Sequence, residues 1–128
     1  MSLDIYREAI LDHYKYPHNR GHIKNPDVKI HDSNPLCGDS FTFELKIDNK
    51  QIKDVKFSGE GCAISTASAS MLSERIKGLA LEKIKNLDKD DILKMLDIEL
   101  GHMRIKCAML PLKIVKLAIY KFINKKEK

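Results

Sequence analysis

Apolar side chains change their period twice along this chain. Leu3, Tyr6, Ile10, His13 and Tyr14 recur at helical spacing, which predicts a helix over residues 2–16 with Ser2 as its cap. Pro17 ends it, and Asn19-Arg20-Gly21 makes a turn. Val28 and Ile30 alternate with polar neighbours and predict a short strand. Phe41, Phe43, Leu45 and Ile47 then alternate with Thr42, Glu44, Lys46 and Asp48, as in a half-buried strand with one wet face. Asp48-Asn49-Lys50 turns the chain into a second strand over residues 51–58, completing a hairpin. Ile52 is out of phase with Val55 and Phe57, which predicts a bulge between them.

Gly59-Glu60-Gly61 breaks the alternation, and from Cys62 the period is helical through Ile64, Ala67, Met71 and Ile76, ending near Gly78. Shorter helical segments follow around residues 79–86 and 89–98. After Gly101 a last long helix is expected from near Cys107 to about Ile123. Pro111 sets that start, because the first four N–H groups of a helix lack intrahelical partners anyway. A helix, then strands, then helices predict an α+β fold. The 128 residues read as a single domain without repeats or linkers.

Composition narrows the function classes. Asp4, Arg7, Glu8 and Asp12 interrupt any apolar run near the N-terminus, so no signal peptide is expected. No stretch approaches the roughly 18 apolar residues of a membrane span. A cytoplasmic protein with reduced thiols and no membrane partner is the expectation. Three cysteines, an odd number, argue against a closed disulfide framework. A net charge of +5 raises nucleic-acid binding, but the lysines interleave with acids throughout, and only Lys125 and Lys126 are locally basic. No nucleic-acid partner is expected, and the lysines read as solvated surface or as a complement to an acidic protein.

The thiols carry the chemistry. The stretch NPLCGDS, residues 34–40, puts Cys37 in a turn entering a strand, with Asp39 two residues on. Cys62 opens one predicted helix and Cys107 another. Helix N-termini favour the thiolate, which is the reactive and metal-binding form. A single cysteine is usually a small buried hydrophobe, yet each of these sits at an element boundary. Cys37, Asp39, Cys62 and Cys107 together offer three sulfurs and one oxygen, a set suited to tetrahedral Zn²⁺ or the edge of an iron–sulfur cluster. The separations, 62 − 37 = 25 and 107 − 62 = 45, are too long for a zinc finger. Two other readings stay open: a structural zinc domain, and an enzyme with Cys62 as nucleophile and His102 as base. The absence of C-x-x-C disfavours a thiol oxidoreductase. Met109, Leu110, Ile114, Leu117 and Ile119 form an apolar stripe that reads as core before it reads as a docking surface.

Motifs around these residues are more specific than their spacing. IYREAILDHYKYPHNRG, NPLCGD, GEGCAISTASASML and RIKCAMLPLKIV occur in that order. The chain resembles, over essentially its whole length, the IscU/SufU/NifU N-terminal group of iron–sulfur cluster assembly proteins. The resemblance implies a three-stranded antiparallel sheet packed against helices, with a long C-terminal helix and the cysteines meeting at one exposed end. It implies Cys37, Asp39, Cys62 and Cys107 as ligands of Zn²⁺ or of a transient [2Fe–2S] cluster. It implies a pyridoxal-phosphate cysteine desulfurase as sulfur donor and apo iron–sulfur proteins as recipients. The chain would be a scaffold or a sulfur acceptor, with Cys37 or Cys107 taking the persulfide; as a scaffold it would not be an enzyme. GEGCAIS and RIKCA look like SufU, whereas the 45-residue gap leaves no room for the usual SufU insertion and resembles IscU. Lys106 precedes Cys107 where IscU has histidine, and residues 101–106 lack the prolines of the IscU segment that docks an Hsp70 chaperone. Three thiolates and one carboxylate around Zn²⁺ leave a charge of −2, which Arg104 and Lys106 are placed to offset. His102 reads as a surface residue, and Ile5 and Tyr6 as desulfurase contacts.

Overall fold

A computed structural model describes residues 8–126. The expected N-cap at Ser2, with Leu3, Ile5 and Tyr6, lies outside the described residues. Helix α1 spans Glu8–Lys15, followed by strands β1 (Val28–Asn34), β2 (Asp39–Asp48) and β3 (Gln51–Glu60) and by helices α2 (Ala63–Ile76), α3 (Leu81–Lys85), α4 (Lys89–Leu96) and α5 (His102–Lys126). The strands form one antiparallel sheet in the order β1-β2-β3. It is the predicted α+β arrangement of a small sheet against helices, closed by a long C-terminal helix.

Alternation in β2 places Phe41, Phe43 and Leu45 on the inner face, each fully buried. Phe57 of β3 stacks on Phe43 and meets Phe41 edge-on, with centroid separations of 5.5 and 6.0 Å. The predicted bulge is present: Ile47 pairs with Ile52 while Lys46 pairs with Asp54, so Lys53 is the extra residue. That insertion lets Ile52, Val55 and Phe57 all reach the core. The strand runs on to Glu60, two residues past the expected end. Gly59 belongs to the ladder with φ 121°, and a Cβ there would lie 2.9 Å from Phe41 Cα and collide with the Ser40 carbonyl oxygen.

Helix α5 covers β1 and β2, α2 covers β3, and α1 packs on α2. Helix α2 thus has neighbours on several sides, which explains why Ser65, Thr66, Ser68, Ser70 and Ser73 are buried beside Ile64, Ala67 and Leu72. Small hydroxyls permit close approach; Ser68 Oγ, for example, donates to the Ala108 carbonyl at 2.7 Å. Helix α5 begins five residues earlier than its proline suggests. Pro111 lies inside it, and the helix is opened instead by Ile105 N–H donating to the Gly101 carbonyl at 3.0 Å. Pro111 and its neighbours Leu110 and Leu112 are buried, so packing offsets the lost hydrogen bond, a cost of about 3 kcal/mol. Leu110, Ile114 and Ile119 belong to the core, Met109 packs partly buried against it, and Leu117 is exposed.

Residues 19–27 strap the sheet. Phe57 N–H donates to the Asn19 carbonyl at 3.0 Å and Gly21 N–H to the Phe57 carbonyl at 2.9 Å, shielding the β3 edge. Under the strap, buried Glu44 accepts from Ile23 N–H at 3.1 Å and pairs with His22 Nδ1 at 2.7 Å. Burial alone would raise this carboxyl's pKa, but the bonds from His22 and Ile23 outweigh it and hold the pKa below the ordinary glutamate value. A carboxyl depressed in the folded state contributes stability above its unfolded pKa and loses it as pH falls through the folded value. Glu44→Gln should therefore destabilise the protein at neutral pH by roughly 1–2 kcal/mol. In melts across acidic pH, the gap from wild type should close as the wild-type carboxyl protonates; a gap independent of pH would refute this account.

Candidate metal centre

The turn that carries Cys37 is built by Asn34, the last residue of β1. Asn34 Oδ1 accepts Leu36 N–H at 3.1 Å, and its carbonyl accepts Cys37 N–H at 3.1 Å and Gly38 N–H at 2.9 Å. Its amide Nδ2 lies 3.5 Å from Cys37 Sγ. Gly38 adopts φ 71°, a conformation glycine takes without strain, and this returns the chain to Asp39 opposite Asn34 in the ladder. An Asx-type turn thus fixes the thiol and the carboxylate together.

Asp39 is buried, at 1% exposure. Its Oδ1 accepts Cys62 N–H at 2.9 Å, tying the β2 start to the α2 start. Gly61 makes this possible, because a Cβ there would lie 2.8 Å from both Asp39 Oδ1 and Phe41 Cζ. Cys62 is the N-cap of α2: its sulfur accepts Ser65 N–H at 3.4 Å. Cys62 therefore stands at a helix N-terminus, as the sequence suggests.

Cys107 does not. It sits in the second turn of α5, 5% exposed, where the helix-end field that favours a thiolate has faded. Sequence reasoning placed it at the helix start because it let Pro111 set the boundary. From this position the side chain reaches Cys37, whose Cα is 6.5 Å away, and the two are joined as a disulfide. The expectation of three reduced thiols is thus corrected: Cys62 alone is free. Ligands that share one ion are also placed to meet each other, since zinc–sulfur bonds of roughly 2.3 Å bring two sulfurs within about 4 Å.

Donor atoms of Cys37, Asp39 and Cys107 all lie within 4.8 Å of one another. Cys62 Sγ stands outside that group, beside it through its backbone bond to Asp39. Asp39 Oδ2 is buried and has no hydrogen-bond partner among the described residues. A buried, half-unsatisfied carboxylate beside convergent sulfurs fits a cation, which would neutralise it and take up its vacant lone pairs. His102, Arg104 and Lys106 are exposed on the first turns of α5, and His102 is not among the converging donors. No hydrogen bond joins His102 to Cys62 among the described residues. A groove of about 370 Å³ lined by Asn34, Pro35, Lys106 and Lys113 opens beside the Cys37 turn. No helix among the described residues is long and apolar enough to cross a membrane.

Known proteins place this geometry in a family. The profile of the NifU-like N terminal domain matches residues 5–128. A zinc-dependent sulfurtransferase, SufU of Bacillus subtilis, is 37% identical, the match covering 91% of this chain and 90% of SufU. The iron–sulfur cluster assembly scaffold protein IscU of Escherichia coli K12 is 31% identical over 95% of this chain and 97% of its own length. In three dimensions the chain superposes with a TM-score of 0.79 on a crystal structure from Fervidobacterium islandicum AW-1. That protein is provisionally assigned as an iron–sulfur cluster assembly scaffold for the SUF system; the two are 34% identical, with 93% of this chain and 99% of that one covered. The sequence resemblance and the fold therefore agree: the chain belongs to the IscU/SufU/NifU N-terminal family.

Proposed function

We propose that this protein takes part in iron–sulfur cluster assembly, holding Zn²⁺ or a nascent [2Fe–2S] cluster on Cys37, Asp39, Cys62 and Cys107. It would receive sulfur from a cysteine desulfurase for apo iron–sulfur proteins. The observation that carries this reading is the convergence of Cys37, Asp39 and Cys107, from a turn, a strand start and a helix, around a carboxylate oxygen without a partner. Cys62 would complete the set by rotating its side chain, giving up its cap bond to Ser65. Bound Zn²⁺ would keep its thiol ligands deprotonated at neutral pH.

The chain's own residues account for sulfur transfer. A dithiol reductant must first open the Cys37–Cys107 pair by thiol–disulfide exchange, its own two thiols closing to a disulfide as Cys37 and Cys107 become thiols. A thiolate of this chain then attacks the terminal sulfur of the desulfurase persulfide. A new S–S bond forms, the donor's S–S bond breaks, and the desulfurase cysteine leaves as a thiolate. Carboxylate is a harder, more exchangeable ligand than thiolate, so Asp39 suits a site that must open and close. The 37% identity to a zinc-dependent sulfurtransferase supports the acceptor mode, and the IscU likeness supports the scaffold mode.

Anaerobic purification in reductant, followed by metal analysis and visible spectra with iron, cysteine and a desulfurase, separates the two. A visible iron–sulfur band lost in Cys37→Ala, Cys62→Ala and Cys107→Ala is the scaffold result. Tightly held zinc, no band and faster desulfurase turnover is the acceptor result. No bound metal and no effect on the desulfurase would overturn the proposal.

A further inference from the structure

A second group of ligand-type side chains lies away from the cysteines. His13 on α1, His18 in the turn after it and Glu74 near the end of α2 have donor atoms within 4.8 Å of one another. Glu74 is 12 residues along the helix from Cys62, or about 18 Å at 1.5 Å per residue. Glu74 Oε1 is the focus, 2.6 Å from His18 Nδ1 and 3.7 Å from His13 Nε2. The two imidazoles face each other with centroids 4.5 Å apart.

The surroundings hold these groups in place. Ser70 is fully buried, and its Oγ lies 2.6 Å from His13 Nδ1 and accepts His18 N–H at 2.8 Å. One hydroxyl thus orients the ring of the first histidine and the backbone of the second. Asn19 Nδ2 donates to Ser73 Oγ at 2.9 Å, fastening the same turn to α2. An imidazole that binds a metal through Nε2 must carry its proton on Nδ1, and Ser70 Oγ is placed to accept it; outer partners of this kind are what metal-bound histidines use.

We propose that His13, His18 and Glu74 form a second metal site, selective for a divalent ion of the zinc class, which clamps α1 to α2. Two imidazole nitrogens and one carboxylate oxygen are a donor set for Zn²⁺, Co²⁺ or Ni²⁺ rather than for Mg²⁺ or Ca²⁺. The ion takes the place of the hydrogen bond between His18 Nδ1 and Glu74 Oε1, the imidazole binding as its neutral form. Three protein ligands leave the fourth position open to water. The site is chemically distinct from the cysteine centre, because it contains no sulfur and involves no redox step.

The test is a Zn²⁺ titration of the reduced full chain, followed by NMR of the histidine ring signals and by calorimetry. His13 and His18 signals should move together in a saturable step, and the step should persist in Cys107→Ala. His18→Gln and Glu74→Gln should each abolish it, while Mg²⁺ should not reproduce it. Each variant's melting curve establishes that it is folded, and either folded variant suffices for the comparison. A Co²⁺ titration adds a signature: this equivalent should give d–d bands without thiolate-to-cobalt charge transfer. Histidine signals unmoved by excess Zn²⁺, or moved equally in the folded variants, would overturn the proposal, because the cluster would then be only a hydrogen-bonded latch.

Discussion

Cys37→Ala should leave the fold intact and reduce sulfur transfer from a cysteine desulfurase to the level measured without this protein. The argument rests on access. A persulfide sulfur must be approached along the S–S axis by a thiolate with room in front of it. Cys37 is partly exposed, flanked in its turn by exposed Pro35, Leu36 and Gly38, and the groove with Lys106 and Lys113 lies beside it. Cys107 is 5% exposed within a packed helix, and Cys62 is engaged as a helix cap. The turn itself is held by Asn34 backbone and side-chain bonds that do not use the Cys37 sulfur, so alanine leaves it standing. Cys107→Ala should behave differently, losing metal while the alkylatable thiol at 37 survives. Mass spectrometry of the intact chain after incubation with desulfurase and cysteine reads the added sulfur directly. Persulfide on Cys107 in Cys37→Ala, at the wild-type rate, would move the acceptor role to the helix and favour the scaffold mode.

Strands were legible because alternation in β2 is strict and the turn Asp48-Asn49-Lys50 is polar; even the bulge could be read from the phase of Ile52. Helix α4 was expected around residues 89–98 and spans Lys89–Leu96; the reciprocal capping box of Asp88 and Asp91 that fixes its start was not read from the sequence. The start of α5 was not. A local rule about proline was applied to a segment whose packing against β1, β2 and α2 overrides it. That misreading also misplaced the environment of Cys107. Spacing could not reveal that residues 37, 39 and 107 meet, because long-range convergence depends on how α5 crosses the sheet; only the motif resemblance suggested it. Asn34 and Gly61 were quoted within motifs without their roles being seen. The Asn-Pro dipeptide was the available signal for the turn. For Gly61 there was none, since the need for a missing Cβ appears only when Phe41 and Asp39 arrive beside it. His13, His18 and Glu74 were equally hidden, one having been read as part of a helical stripe.

Asp39→Asn should change stability in opposite directions with and without metal. In the metal-free structure Asp39 is a buried carboxyl group with one satisfied oxygen, one unpartnered oxygen and no ion pair among the described residues. A charge in that position is desolvated and only partly compensated, by Cys62 N–H at the start of α2. Asparagine keeps an oxygen to accept Cys62 N–H and removes the charge, so the metal-free variant should gain about 1–2 kcal/mol. For a domain of this size that is roughly 4–8 °C in melting temperature. With zinc present the balance reverses. On the proposed ligand set the carboxylate would then bind the ion, and its loss should weaken zinc by more than the 10–100-fold that loss of an outer-shell partner typically costs. Stabilisation by a ligand that binds only the folded state follows its affinity, so the melting increment on adding zinc should shrink in the variant. Melts of wild type and Asp39→Asn, each with chelator and with zinc, give four temperatures whose crossing is the prediction. If the variant is less stable under both conditions, Asp39 is a structural cap for Cys62 and the centre does not include it. If it is more stable under both, the carboxylate is costly even with zinc bound, and the ion is held by sulfur alone.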